Sequence, residues 1–122
     1  DLIISKELIE TILNCEIEDF EMFSCDLLMY YEKALFRANC QGQTPNDRDS
    51  ICCTISIHKF AYKCKKWLLK NNIAFTLNYY KDNSVQFYCE KYHLDIESSS
   101  EIETIIKACN WILEEINDNK NI

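Results

Sequence analysis

One glycine and one proline in 122 residues leave this chain few places to turn tightly. Glycine enters left-handed backbone without steric cost, and proline ends helices and strands. A chain so poor in both must consist mostly of regular elements. Its one clear loop is the stretch that holds both residues, "NCQGQTPNDRDS" at 39–50. The length fits a single domain, 1–122, with one core. Apolar residues at 48% and charged residues at 27% are the balance of a globular chain, not a disordered one.

No apolar run approaches the roughly 20 residues that cross a bilayer. No basic-then-apolar leader is present, although a start at Asp1 in place of Met reads as processing or trimming and leaves a removed signal open. The net charge of −7 opposes general coating of nucleic acid and suits a partner with a basic surface. Eight cysteines stand at 15, 25, 40, 52, 53, 64, 89 and 109. Long periodic segments are the opposite of a disulfide-framed miniprotein, and neither His58 nor His93 stands at zinc-type spacing from them. Reduced core thiols in a cytoplasmic setting are the expectation, with disulfides as the alternative and no metal site or cofactor.

Ser5 can cap a first helix with the stripe Leu8, Ile9, Ile12, Leu13. Residues 16–32 read equally as helix or as two short strands. "ICCTI" at 51–55 reads as a buried strand, and Ser56 can cap a second helix buried through Ile57, Phe60, Ala61, Cys64, Trp67 and Leu68. A hairpin follows. A three-residue loop at 82–84 would pair Tyr79 with Phe87 and Leu77 with Cys89, leaving Tyr80, Tyr88 and Tyr92 on the opposite face. A capping box, Ser100-x-x-Glu103, opens a last helix that buries Ile102, Ile105, Ile106, Cys109, Ile112, Leu113 and Ile116; the polar tail 117–122 should fray. The predicted class is α+β, a small antiparallel sheet packed with helices in a layered sandwich.

Two stretches together carry a resemblance. Lys63, Cys64, Lys65 and Trp67 in "KCKKW", with Glu103, Ile106, Lys107, Ala108, Cys109, Trp111, Ile112 and Leu113 in the last helix, resemble small phage and prophage accessory proteins. The plan is similar to phage ABA-sandwich domains. It spans roughly residues 56–116 and names no catalytic residue. What it implies is a setting: a phage accessory protein in the host cytoplasm, of a class that includes inhibitors of bacterial defence such as anti-CRISPR proteins.

Three surfaces are candidates for function. Trp111 falls about half a turn away from the buried stripe of its helix, among Lys107, Asn110 and Glu114. Either another segment covers it or it is a contact residue, since tryptophan is enriched at interface hot spots; a homodimer interface would satisfy both. Lys59, Lys63, Lys66 and Lys70 lie on one line of the second helix. That is an ordinary solvated face, or a place for phosphates, with Tyr80 and Tyr88 offering stacking if they stand near. Clustered carboxylates form the third: Glu16, Glu18, Asp19 and Glu21, then Glu97, Glu101, Glu103, Glu114 and Glu115. No phosphate-cradling loop, nucleophile elbow or zinc-protease motif occurs. A non-enzymatic binder of a host defence protein through Trp111, Glu101, Glu103, Lys107 and Glu114 is the leading expectation. A sponge for a small nucleotide signal and a self-assembling phage structural protein are the alternatives.

Overall fold

The computed structural model describes residues 2–33 and 50–120. Its elements run α1 (Lys6–Leu13), β1 (Ile17–Ser24), β2 (Leu27–Lys33), β3 (Ser50–Ser56), α2 (Ile57–Lys70), β4 (Thr76–Tyr79), β5 (Val85–Cys89), β6 (Leu94–Ser98) and α3 (Glu101–Lys120). The strands form two antiparallel meanders, β1-β2-β3 and β4-β5-β6. The class is therefore α+β, with two small sheets where one was expected. Residues 16–32 resolve as the β1–β2 hairpin. The loop predicted at 39–50 lies outside the described residues up to position 49, and Ser50 already belongs to β3.

Capping follows the sequence. The Ser5 hydroxyl accepts the Leu8 N–H at 3.0 Å and the Ser56 hydroxyl accepts that of Lys59 at 3.1 Å. Where glycine is missing, other residues take the left-handed positions: Asn14 closes α1 (φ 55°), Asn72 follows α2 (φ 58°), and Asn83 and His93 (φ 71° and 50°) sit in hairpin turns. Asparagine tolerates this region better than most side chains because its short amide can hydrogen-bond locally. Asn83 completes a three-residue loop, Lys81–Asn83, closed by Tyr80 N–H to Ser84 O at 3.0 Å. That shifts the predicted register by two: Tyr79 pairs with Val85 and Leu77 with Phe87. A slip of two preserves which face each side chain occupies, so Val85, Phe87 and Cys89 are buried while Tyr80 and Tyr88 stay on the outer face.

One core joins both sheets to the helices. α3 packs on β5 and β6, α1 on β1, α2 on β3, and the three helices pack on each other. Phe60, Phe87, Leu8, Leu28, Leu68, Ile105, Ile106 and Ile112 are fully buried, each stabilising by roughly 1.5–3 kcal/mol through area removed from water. Several expectations need correction. The strand at 51–55 exists but is not buried. As the outer strand of its meander it sinks only Ile55, while Ile51 and Cys52 are exposed. Ile102 and Ile116 are half-buried, at the two ends of the α3 stripe. The helix runs on to Lys120, because polar residues 117–120 contain no breaker. Cys64, Cys89 and Cys109 are buried, whereas Cys25 and Cys52 are exposed; every described cysteine is free.

Candidate functional site

The outer face of α3 carries Trp111, which remains 37% exposed. Its ring meets Tyr92 edge-on, centroids 6.3 Å apart, an arrangement favoured by the aromatic quadrupoles. The segment before α1 passes beside it. Asn110 holds that segment with both ends of its amide: Nδ2 donates to Ile3 O at 2.9 Å, and Oδ1 accepts the Ser5 hydroxyl at 3.0 Å. The result is a shallow cavity of about 270 Å³ lined by Ile3, Lys107, Asn110, Trp111 and Glu114. Ile3, 76% exposed, is its apolar rim. Trp111 is therefore flanked by the N-terminal segment and Tyr92 but not fully covered by them.

The structure thus brings together three of the five residues predicted for partner binding: Trp111, Lys107 and Glu114. The other two are engaged within the fold. Glu101 receives the Tyr79 hydroxyl and pairs with Lys65 at 3.2 Å, tying the start of α3 to β4 and α2. The Tyr79 hydrogen bond, and then the Lys65 ammonium, hold the Glu101 carboxyl below its ordinary value despite partial desolvation. Glu103 pairs with Lys107 at 3.0 Å and accepts the Ser99 hydroxyl at 3.1 Å, which lowers its pKa as well. Half of the predicted capping box forms, the Glu103 N–H donating to Ser100 Oγ at 3.2 Å. The Glu103 carboxylate is spent on Ser99 and Lys107.

The lysine stripe divides. Lys63, Lys66 and Lys70 line a groove between α1 and α2 of about 370 Å³, together with Thr11, Ile12, Asn14 and Trp67, while Lys59 stands outside it. Tyr80 and Tyr88 are elsewhere, on the outer face of the second sheet. There Tyr80 and Asn78 both donate to Gln86 Oε1 (2.8 and 2.9 Å), and Gln86 donates to Asp95 at 2.8 Å. Tyr88 borders a separate hollow with Phe75, Thr76 and Glu90. Neither tyrosine lines the lysine groove, so the condition for stacking beside the lysines is not met there. The acidic residues of β1, Glu18, Asp19 and Glu21, are exposed on the outer strand of the first sheet.

A further cavity was not anticipated. About 390 Å³ in volume, it is lined by Cys25 and Asp26 of the β1–β2 turn, Ile57 and His58 at the start of α2, Leu2, and Ser100, Ile102 and Glu103 at the start of α3. The Ile57 N–H donates to Asp26 O at 2.8 Å, which pins the turn to the helix. His58 is exposed here. No hydrogen bond joins Cys25 to His58 among the described residues. Nor, among them, do any three His, Cys, Asp or Glu side chains group as a metal site. Only the pairing in space of a hairpin turn with two helix starts makes this cavity, and periodicity does not reveal such pairings. No helix of the described residues is long and apolar enough to cross a membrane.

No family model, no curated protein and no solved structure matches the chain.

Proposed function

We propose that this chain works by binding another protein, without catalysing a reaction, and that the face of α3 around Trp111 is its contact surface. One observation carries the reading. A tryptophan that stays 37% exposed borders a shallow cavity whose wall segment is held by two hydrogen bonds to Asn110, one from the amide to Ile3 O and one from the Ser5 hydroxyl. Interface hot spots are large aromatic residues in pre-shaped surroundings, ringed by groups that exclude water. Glu114 gives the rim a carboxylate, and the net charge of −7 steers the chain toward basic surfaces. Lys107 is occupied by Glu103 and acts as a wall of the cavity. The resemblance to phage accessory proteins makes a bacterial defence protein in the host cytoplasm the partner to test first.

The test begins with a photo-crosslinking residue at Glu114 in cells carrying a defence system, followed by identification of the captured protein. Purified partner and purified chain should then form a complex that Trp111→Ala weakens by about a hundredfold, the size of a hot-spot loss. Exposed Tyr88→Ala should leave it unchanged. A complex indifferent to Trp111→Ala, or lost equally with Tyr88→Ala, would move the contact surface elsewhere. Light scattering that shows large assemblies of the chain alone would favour a self-assembling structural protein instead.

A further inference from the structure

The groove between α1 and α2 is a second and independent feature. Its cationic wall is built by three lysines of one helix, at 63, 66 and 70, so their ammonium groups rise from successive turns. Across from them α1 contributes the Thr11 hydroxyl and the Asn14 amide, both able to donate, while Ile12 and half-buried Trp67 supply apolar surface. Among the described residues no carboxylate lines the groove, although the chain has 20 acidic residues. Among the described residues, the lysines with a carboxylate partner are Lys65 and Lys107, and neither belongs to the groove. Like charges at helical spacings of three and four repel one another, and a bound anion relieves that repulsion.

We infer that this groove is a binding site for a short phosphate chain, as carried by a nucleotide or by inorganic polyphosphate. Lys63, Lys66 and Lys70 meet the phosphate oxygens as point charges, and Thr11 and Asn14 add directional hydrogen bonds. The volume lies at the lower end of the range for small-ligand sites, about 300–1,000 Å³. The Trp67 ring at the same groove gives a base somewhere to stack, which separates the two sources of the phosphate.

Calorimetric titration at low ionic strength with sodium tripolyphosphate and with ATP, both free of metal, tests the assignment. Both ligands should bind the wild-type chain. Lys66→Glu and Lys70→Glu should each raise Kd by about tenfold, in keeping with loss of one charge-assisted contact. Lys59→Glu, on the same helix face but outside the groove, should leave Kd unchanged. In a Trp111→Phe background the remaining tryptophan, Trp67, reports directly. Tighter binding of ATP with quenching of its fluorescence identifies a nucleotide site, and equal binding without quenching identifies a phosphate-chain site. Absence of heat with both ligands overturns the inference. So does a Lys59→Glu effect as large as that of Lys66→Glu, since that reports diffuse charge and no groove.

Discussion

Thr104 is the buried polar residue on which the position of α3 depends, and replacing it by valine removes a hydroxyl without changing the side chain's shape. The residue is fully buried; its Oγ1 lies 2.6 Å from Ser100 O in the preceding turn and 3.2 Å from Val85 O in β5. Ser100 O is also reached by the Thr104 N–H at 3.1 Å, so it keeps a donor in the variant. The hydroxyl's single proton is shared between the two carbonyls, and the share that reaches Val85 O, crossing from helix to sheet, is lost. Removing one partner of a buried hydrogen bond costs about 1–2 kcal/mol, because the partner's desolvation stays uncompensated. For a domain of this size that lowers Tm by about 3–8 °C. Urea unfolding of Thr104→Val beside Ile105→Val, a one-methylene deletion at the next buried position, provides the assay. Ile105→Val should cost about 0.5–1.5 kcal/mol by cavity formation alone. A Thr104→Val chain as stable as wild type, or more stable, would show that the helix-to-sheet hydrogen bond contributes nothing and that α3 is held by apolar packing only.

Glu101 sits below its ordinary pKa, so its stabilising share is present above about pH 4.5 and is lost as pH falls through the lower folded value. Glu101→Gln should therefore lower Tm at pH 7 and converge on wild type once pH has fallen below that lower folded value; with the carboxylate over a third exposed, the gap should stay under about 1 kcal/mol. Burial of Cys64, Cys89 and Cys109 predicts that their peptides take up an alkylating reagent only in denaturant, while Cys25 and Cys52 label in the native chain within minutes; native labelling of Cys109 would contradict the packing. Trp111→Ala should cost about 1 kcal/mol in a thermal melt, since the ring is only partly covered and alanine favours the helix; a loss above about 3 kcal/mol would make Trp111 a core residue.

The helices were legible because apolar spacing of three and four residues, with a serine before each of the first two, is a signal carried within a few residues. The hairpin's faces were legible for the same reason, but its register was not. An alternating pattern repeats every two residues, so pairing Leu77 with Phe87 or with Cys89 satisfies it equally, and only the left-handed Asn83 decides. β6 is not legible in the sequence because its entry turn, Glu90–His93, uses a positive-φ histidine in place of glycine. The candidate site shows the same division. That Trp111 points away from the buried stripe follows from helix geometry alone. That Glu101 is tied by Lys65, 36 residues distant, and that Ile3 reaches Asn110, 107 residues distant, are properties of packing that no local window contains.

Asn110 offers the sharpest test of how the Trp111 surface is made. Its amide donates to Ile3 O and accepts from Ser5, and Ser5 in turn caps α1. Asn110→Ala breaks both links yet leaves Trp111, Tyr92 and the α1 cap untouched. The freed segment no longer keeps Ile3 at the cavity beside the ring, so in a Trp67→Phe background Trp111 emission should shift to longer wavelength and acrylamide should quench it more. Partner binding should weaken with a lower association rate, because the cavity wall must be ordered during the encounter. Asn110→Asp keeps the acceptor for Ser5 but sets a carboxylate against Ile3 O, and should behave like the alanine variant in emission while holding Ser5. Unchanged emission in both variants would mean that apolar contact alone holds Ile3 and that the amide is incidental to the cavity.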